Sequence, residues 1–255
     1  MHLLEEIETE YNLCINDPQK YQRKVDTISN LFHLTGRQRL KGDNCPVFVV
    51  GKYDKTPIVM FGLNPGYSPK NNPIEDAEAR KSWNHYLNLY LNFFEFFSKH
   101  EFESPYYTSL AHLISGLTGQ QKQTKWELFE SYLTNLELIP YHSEGITLPS
   151  KFSSSQWDYL RVRLKSSLDF ITKFKLLIFN GSPWYIILIK YNLVNKYHKV
   201  QVSKLFNLYF FELESIPSVL FDKFFLKHFW GITDYDRKVT IPKLIRERYQ
   251  DRLIY

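Results

Sequence analysis

The stretch that decides the fold is Ile58-Val59-Met60-Phe61-Gly62-Leu63-Asn64-Pro65-Gly66. Its first four residues are apolar and favour β structure, so they predict a short buried strand. The five residues that follow predict a tight turn directly at the end of that strand. Because Gly leaves room for a close approach, the turn also brings main-chain N–H groups within reach of a bound molecule.

Three further apolar runs end in polar turns, and helical patterns lie between them. These runs are Tyr132–Pro140, Phe174–Phe179 and Leu208–Leu213. Such alternation is typical of a parallel sheet covered on both faces. We therefore predict an α/β fold with three α/β/α layers around a central four-stranded, mainly parallel sheet. Residues 1–255 are expected to form one domain with a helical N-terminal extension over about residues 1–45.

The polar residues that follow the predicted strands are the candidate functional residues. In open parallel sheets, ligands bind beyond the carboxyl ends of the strands. The turns that begin at Gly62, Asn135, Asn180 and Glu214 are therefore expected around one crevice. The sequence contains no P-loop, GxGxxG, GxSxG or HExxH pattern, which excludes the commonest other enzyme classes for such a fold.

The composition is aromatic-rich and mildly basic. The 255 residues include 20 Phe, 18 Tyr and 5 Trp, which excludes disorder over most of the length. Lys and Arg number 32 against 27 Asp and Glu, and the net charge of +5 suits a nucleic-acid partner without requiring one.

Two features predict the compartment. The only cysteines are Cys14 and Cys45, too few for a disulfide framework, and they belong to no zinc-binding pattern. The N terminus lacks the pattern of a signal peptide, and no apolar stretch is long enough to span a bilayer. We expect a cytoplasmic protein, monomeric and without membrane contact.

The turn Gly62–Gly66 resembles the first motif of the uracil-DNA glycosylase superfamily, in the Asn form of its mismatch-specific (thymine-DNA glycosylase-like) and single-strand-selective branches. The stretch Leu177–Gly181, before an apolar helix, resembles the third core strand and turn of the thymine-DNA glycosylase branch. Thr134–Leu136 falls where the superfamily has its second strand. Ile216-Pro217-Ser218 resembles the second motif, a His-Pro-Ser or Met-Pro-Ser segment that enters the minor groove. The resemblance covers roughly residues 46–225 in element order.

The resemblance implies a DNA glycosylase that flips a damaged, mismatched or modified pyrimidine and hydrolyses its N-glycosidic bond without metal or cofactor. Asn64 would orient the attacking water through its carboxamide oxygen, although an amide cannot accept the proton as Asp could. His142 is a second catalytic candidate, as an acid or base. The expected base-binding residues are Gly62, Leu63, Gly66, Tyr67 and Asn135. The expected DNA-binding residues are Asn180, Ser182, Ile216, Pro217, Ser218, Arg237 and Lys238.

Two departures from the superfamily pattern bear on activity. Ile216 stands where many members carry His, which removes the usual donor to the pyrimidine oxygen that gathers charge as the base leaves. Another donor is then required, either main-chain N–H groups or a side chain such as that of His142. The stretch Tyr67–Tyr107 is long and aromatic, which suggests a bulky modified cytosine as substrate, in defence against phages with modified DNA.

Other interpretations remain open at this point. The chain could be a catalytically silent DNA-binding relative, or a nucleotide-binding α/β protein. Asn135 could satisfy main-chain groups at a strand end, and the Pro217-Ser218 pair could start a helix. The basic residues Arg237 and Lys238 could lie on a solvated helix.

Overall fold

A computed structural model describes residues 3–102, 105–120, 124–171, 174–223, 231–249 and 252–253 of the chain. These residues form a mixed α/β fold with seven strands and ten α-helices. The strands are β1 (Val49–Val50), β2 (Ile58–Gly62), β3 (Leu133–Glu137), β4 (Leu176–Asn180), β5 (His198–Ser203), β6 (Phe206–Leu213) and β7 (Ile216–Phe221). The helices are α1 (Leu3–Asn16), α2 (Pro18–Leu31), α3 (Asn72–Ala79), α4 (Trp83–Leu91), α5 (Phe93–Lys99), α6 (Pro105–Thr118), α7 (Lys125–Tyr132), α8 (Ser154–Phe170), α9 (Ser182–Tyr185) and α10 (Ile241–Tyr249).

The strands form one central, mainly parallel sheet with the order β1-β3-β2-β4-β7-β6-β5. The predicted α/β class is confirmed, but the described residues give the sheet seven strands instead of four. Near the N terminus the chain is helical in α1 and α2, and between Leu31 and β1 only the short 3-10 turn Gly36–Gln38 follows; the extension over about residues 1–45 stays a prediction. Among the described residues, no helix has both the length and the apolar character needed to cross a bilayer.

The chain divides into two compact units. The first consists of Met1–Val50, Gly62–Leu91 and Leu136–Thr172, and the second of Gly51–Phe61, Asn92–Asn135 and Lys173–Tyr255. In the first unit, α1 and α2 bury an apolar face that includes Ile7, Tyr11 and Val25. Asp17 caps α2 by accepting a hydrogen bond from the Lys20 N–H, at 3.0 Å, which fixes the corner between the two helices.

The second unit contains most of β2 and all of β4 to β7, with parallel pairs and an antiparallel edge. Strand β4 pairs in parallel with β2 on one side and with β7 on the other, while β5, β6 and β7 pair antiparallel. Glu214 and Ser215 connect β6 to β7 with φ angles of 50° and 63°, in the left-handed region that two-residue hairpin turns require.

The sequence predicted that the strand at Leu208–Leu213 is the last one. The structure instead adds a further strand, β7, after the hairpin turn. Residues Ile216–Ser218 are not in a turn beyond the sheet; they begin strand β7, and all three are buried. Ser218 pairs with Leu177 near the beginning of β4, so the segment lies at the amino ends of the parallel strands. The Gly62 turn leaves β2 at its carboxyl end. The expectation that the Glu214 turn lies at the carboxyl ends of the strands is therefore wrong.

Candidate functional site

The candidate site is built on two chain segments of the first unit, residues 62–67 and 137–143, which run side by side beyond the ends of β2 and β3. The Leu138 N–H donates to the Gly62 carbonyl at 3.2 Å, and the Ile139 N–H donates to the Leu63 carbonyl at 2.8 Å. Further along, the Tyr67 N–H donates to the Ser143 carbonyl at 2.9 Å. These bonds satisfy the main chain of the turn and hold it in one geometry.

Asn64 lies in this frame with its carboxamide fixed in one orientation. Its Nδ2 is 2.9 Å from Ser143 Oγ, 2.9 Å from the Pro65 carbonyl and 3.3 Å from the Tyr141 carbonyl. Carbonyl oxygens only accept hydrogen bonds, so the nitrogen must face them and Oδ1 must point the other way. The half-buried side chain thus presents an acceptor oxygen directed away from its own supports.

The burial pattern shows which side of the turn is accessible. Burial alternates along residues 61–66, and the less buried positions are Gly62, Asn64 and Gly66, while Leu63 is buried. Leu63 therefore anchors the turn in the core, and its predicted base-binding role is limited to its main chain. Gly62 and Asn64 are therefore the more accessible residues where the turn begins.

Glu137, at the end of β3, is a candidate functional residue that the sequence interpretation missed. Its carboxyl group lies against Gly62: a Cβ atom added at Gly62 would fall 2.6 Å from Oε1 and closer still to Oε2. Oε2 is buried and has no hydrogen-bond partner among the described residues. Burial alone raises the pKa of this carboxyl to about 8, so it is mostly protonated at neutral pH. The sequence signal was an acidic residue inside an apolar run, Leu136-Glu137-Leu138.

His142 is buried and closes the turn from the facing segment. Its Nδ1 is 2.9 Å from the Gly66 carbonyl and 3.1 Å from Asn72 Nδ2. The Gly66 carbonyl can only accept and the Asn72 amide nitrogen can only donate, so Nδ1 cannot bond both at once; the shorter contact, to Gly66, puts the proton on Nδ1 and leaves Nε2 as the basic nitrogen. Burial lowers the pKa of the ring, although the bond to Gly66 opposes it, so the neutral form is favoured. These contacts give His142 a supporting role in the turn, and its predicted catalytic role stays a prediction.

Tyr67 follows the turn and is half-buried. The Lys41 ammonium lies 4.9 Å from the centre of its ring, a cation–π contact that covers one ring face. The Lys41 N–H also donates to the His142 carbonyl at 2.8 Å. A ring held in this way on one face could stack on a base with the other.

Helices α1 and α8 contact the segment 137–143 and support it. The Tyr141 hydroxyl donates to Glu10 Oε2 at 3.1 Å, and Arg163 Nε of α8 donates to the Leu138 carbonyl at 3.1 Å. Arg163 also forms an ion pair with Glu6 of α1. The predicted N-terminal extension is thus part of the support of the site, a role that no local sequence pattern indicated.

The second unit contains the other predicted site residues. Asn135 lies within β3, buried, and its Oδ1 has no hydrogen-bond partner in the part of the chain that the structure describes. Asn180 is buried at the carboxyl end of β4. Ser182 is partly buried at the start of α9, after Gly181 with φ of 108°. The role of Asn135 in base binding and the roles of Asn180 and Ser182 in DNA binding stay predictions.

Four of the predicted DNA-binding residues are held inside the sheet or, in the case of Arg237, buried in an ion pair. Ile216, Pro217 and Ser218 are inside the sheet, and Ser218 Oγ donates to the Ile216 carbonyl at 2.9 Å. Arg237 is only 1% exposed and pairs with Asp234 at 2.7 Å, so its guanidinium is not available to a phosphate. Lys238 is exposed and remains compatible with the prediction.

No protein-family model matches the chain, and no curated protein matches it. Across residues 3–102, 105–120, 124–171, 174–223, 231–249 and 252–253, no group of three or more His, Cys, Asp or Glu side chains is placed to hold a metal ion.

Proposed function

We propose that this protein is a monofunctional DNA glycosylase of the uracil-DNA glycosylase type, which hydrolyses the N-glycosidic bond of a flipped pyrimidine. The observation that carries the proposal is the orientation of Asn64. Its amide nitrogen faces two carbonyl oxygens and the Ser143 hydroxyl, so its Oδ1 is the atom offered to a ligand. This is the orientation that a water-positioning carboxamide needs at the end of a parallel strand.

In the proposed reaction, a water molecule donates a hydrogen bond to Asn64 Oδ1 and attacks C1′ of the sugar. The bond between C1′ and the base breaks, and its electron pair leaves with the base. Because an amide does not accept the proton, Asn64 orients the water without acting as a strong base. The reaction then depends on how well the leaving base carries negative charge. This dependence favours damaged, mismatched or modified pyrimidines over normal ones.

Further elements of the proposal come from the sequence. We propose a three-layer arrangement of the sheet and helices, a monomeric cytoplasmic protein, DNA as the partner and no cofactor. Tyr67 would stack on the flipped base and Asn135 would read its edge, while Lys238 would contact phosphate. The aromatic stretch Tyr67–Tyr107 supports a bulky modified cytosine as substrate, and hence a role in defence against phages.

The proposal is tested by incubating the protein with single-stranded and duplex oligonucleotides that carry one of four target bases. The targets are uracil, thymine opposite guanine, hydroxymethylcytosine and glucosylated hydroxymethylcytosine, and alkali cleavage reveals abasic sites. We expect abasic sites on at least one target. Asn64→Ala should lower the rate about 100-fold, the size of effect that follows from loss of positioning. Asn195→Ala, which removes an exposed asparagine of the second unit, should leave the rate unchanged.

Two other outcomes would support the other interpretations. Binding to DNA that weakens with salt, without abasic sites on any target, would identify a catalytically silent DNA-binding protein. Retention on DNA that does not depend on salt, again without base release, would contradict both DNA interpretations and favour a nucleotide-binding protein.

A further inference from the structure

The feature that the proposed function does not use is the carboxyl group of Glu137. Its Oε2 is buried without a hydrogen-bond partner among the described residues, and the group lies against Gly62. A buried polar atom without a partner costs free energy and is uncommon in folded proteins. Because this unpaired oxygen lies beside the turn that carries Asn64, we infer that the hydrogen-bond partner of Glu137 is a ligand.

The proposed reaction also needs a proton donor for the leaving base, and Glu137 is placed beside the turn where this donor is needed. A pyrimidine that leaves its sugar gathers negative charge on a carbonyl oxygen, and that oxygen needs a hydrogen-bond or proton donor. The second-motif segment cannot supply it, because Ile216 has an apolar side chain and is buried in β7. Glu137 lies against Gly62, two residues before Asn64 in the same turn.

We propose that Glu137, in its protonated form, donates its carboxyl proton to the carbonyl oxygen of the departing pyrimidine. This inference rests on the proposed function and assigns its leaving-group step. The substrate class that it implies is a pyrimidine with a free carbonyl oxygen adjacent to the glycosidic nitrogen.

Atoms and charge are conserved in this step. The bond between C1′ and the base nitrogen breaks, and its electron pair delocalises onto the carbonyl oxygen, which takes the proton of Glu137. The base leaves as a neutral tautomer, and the water oxygen forms the new bond to C1′. The proton that this water loses restores the carboxyl group of Glu137, directly or through solvent. No oxidant, reductant or further reactant is needed.

The protonation state of Glu137 is set by burial. Its pKa is raised to about 8 by burial alone, and no charged side chain of the described residues contributes to that shift. The other titratable groups on the two segments are His142, whose pKa burial lowers, Tyr141, whose pKa burial raises well above its ordinary value, and Tyr67. The donor is therefore present at neutral pH and is lost as the pH rises above about 8.

The test compares kcat and KM of the wild type and Glu137→Gln on the panel pyrimidine that the wild type releases. Gln keeps the shape and hydrogen-bonding capacity but has no transferable proton. We expect kcat to fall about 100-fold, within the range known for general acids, with KM little changed. Above pH 8, kcat of the wild type should fall about tenfold for each pH unit, while that of Glu137→Gln should not depend on pH. Circular dichroism at each pH excludes unfolding as the cause.

Glu75→Gln is the matched control. Glu75 is also buried, its pKa is raised by burial to about 7, and it accepts a hydrogen bond from the Tyr90 hydroxyl at 3.0 Å. This variant should keep the wild-type kcat and its fall above pH 8. If Glu137→Gln keeps the wild-type kcat, or if its kcat still falls above pH 8 as that of the wild type does, the inference is overturned and the proposed function stays intact.

Absence of base release by the wild type itself would instead refute the proposed function. In that case the carboxyl of Glu137 is titrated by ¹³C NMR in the free protein. A pKa near the ordinary value of 4.5 would overturn the inference independently.

Discussion

Replacing Glu137 by Gln changes how the stability of the protein depends on pH. In the folded protein the carboxyl group has a pKa of about 8, against an ordinary value of 4.5. The folded state therefore keeps a proton that the unfolded chain releases between these two values. The stabilising contribution of this proton is complete below about pH 4.5 and is lost as the pH rises through about 8. Gln does not titrate, so the variant does not show this loss.

The magnitude follows from the difference between the two pKa values. At about 1.4 kcal/mol for each pH unit, the difference amounts to roughly 5 kcal/mol. The Glu137 side chain keeps some contact with solvent, so we expect a few kcal/mol of this amount. Glu137→Gln should thus be the more stable protein above about pH 8, by an amount that grows from about pH 5 upward.

Urea denaturation followed by circular dichroism at several pH values measures this effect. The difference in midpoint between Glu137→Gln and the wild type should increase up to about pH 8 and then level off. For the control Glu75→Gln, the corresponding difference should level off near pH 7, because the pKa of Glu75 is about 7. A Glu137→Gln midpoint at or below that of the wild type at about pH 9 would refute the reasoning that Glu137 is buried without a partner.

Three further predictions concern single contacts. Ser143→Ala removes an acceptor of the Asn64 amide, so the free energy of unfolding in urea should fall by about 1 kcal/mol and base release should slow. The control Asn195→Ala, at an exposed position, should change neither quantity. Gly62→Ala places a methyl group where the Glu137 carboxyl lies, and because that carboxyl ends a flexible side chain it can move aside; urea denaturation should show a loss below about 1 kcal/mol, and a loss above about 3 kcal/mol would contradict this flexibility. Tyr249→Phe removes a hydroxyl that lies 2.7 Å from two main-chain carbonyls of the β6–β7 hairpin, and a thermal melt should show a loss of about 1–3 kcal/mol.

The parts of the fold that the sequence predicted are those with strong local signals. Strand β2 combines a run of β-favouring residues with a Gly, Asn and Pro turn, and the structure places both as expected. Strand β7 was missed because Pro217 lies inside it and because its hairpin turn uses Glu214 and Ser215, without the Gly or Asn that usually marks such turns. Strand β5 was missed because an exposed, polar strand lacks an apolar pattern.

In the candidate site, too, local sequence patterns predicted some residues and missed others. Asn64 and Gly62 belong to a local motif, so their place at a strand end could be predicted. The role of Glu137 could not, because the burial of its carboxyl depends on residues distant in sequence. Likewise, the bond between Tyr141 and Glu10 joins positions 131 residues apart, beyond the reach of any local pattern. The buried position of Arg237 was also not visible in a basic segment that reads as a solvated helix.

The most direct test of the account is to count the free base released for each abasic site formed. The wild type and Asn64→Ala are incubated with an oligonucleotide of the panel, and the free base is measured by mass spectrometry. We predict one intact free pyrimidine for each abasic site with the wild type, and about 100-fold slower release with Asn64→Ala. Equal rates for the two proteins, or no free base from any target, would contradict the claim that Asn64 positions the attacking water.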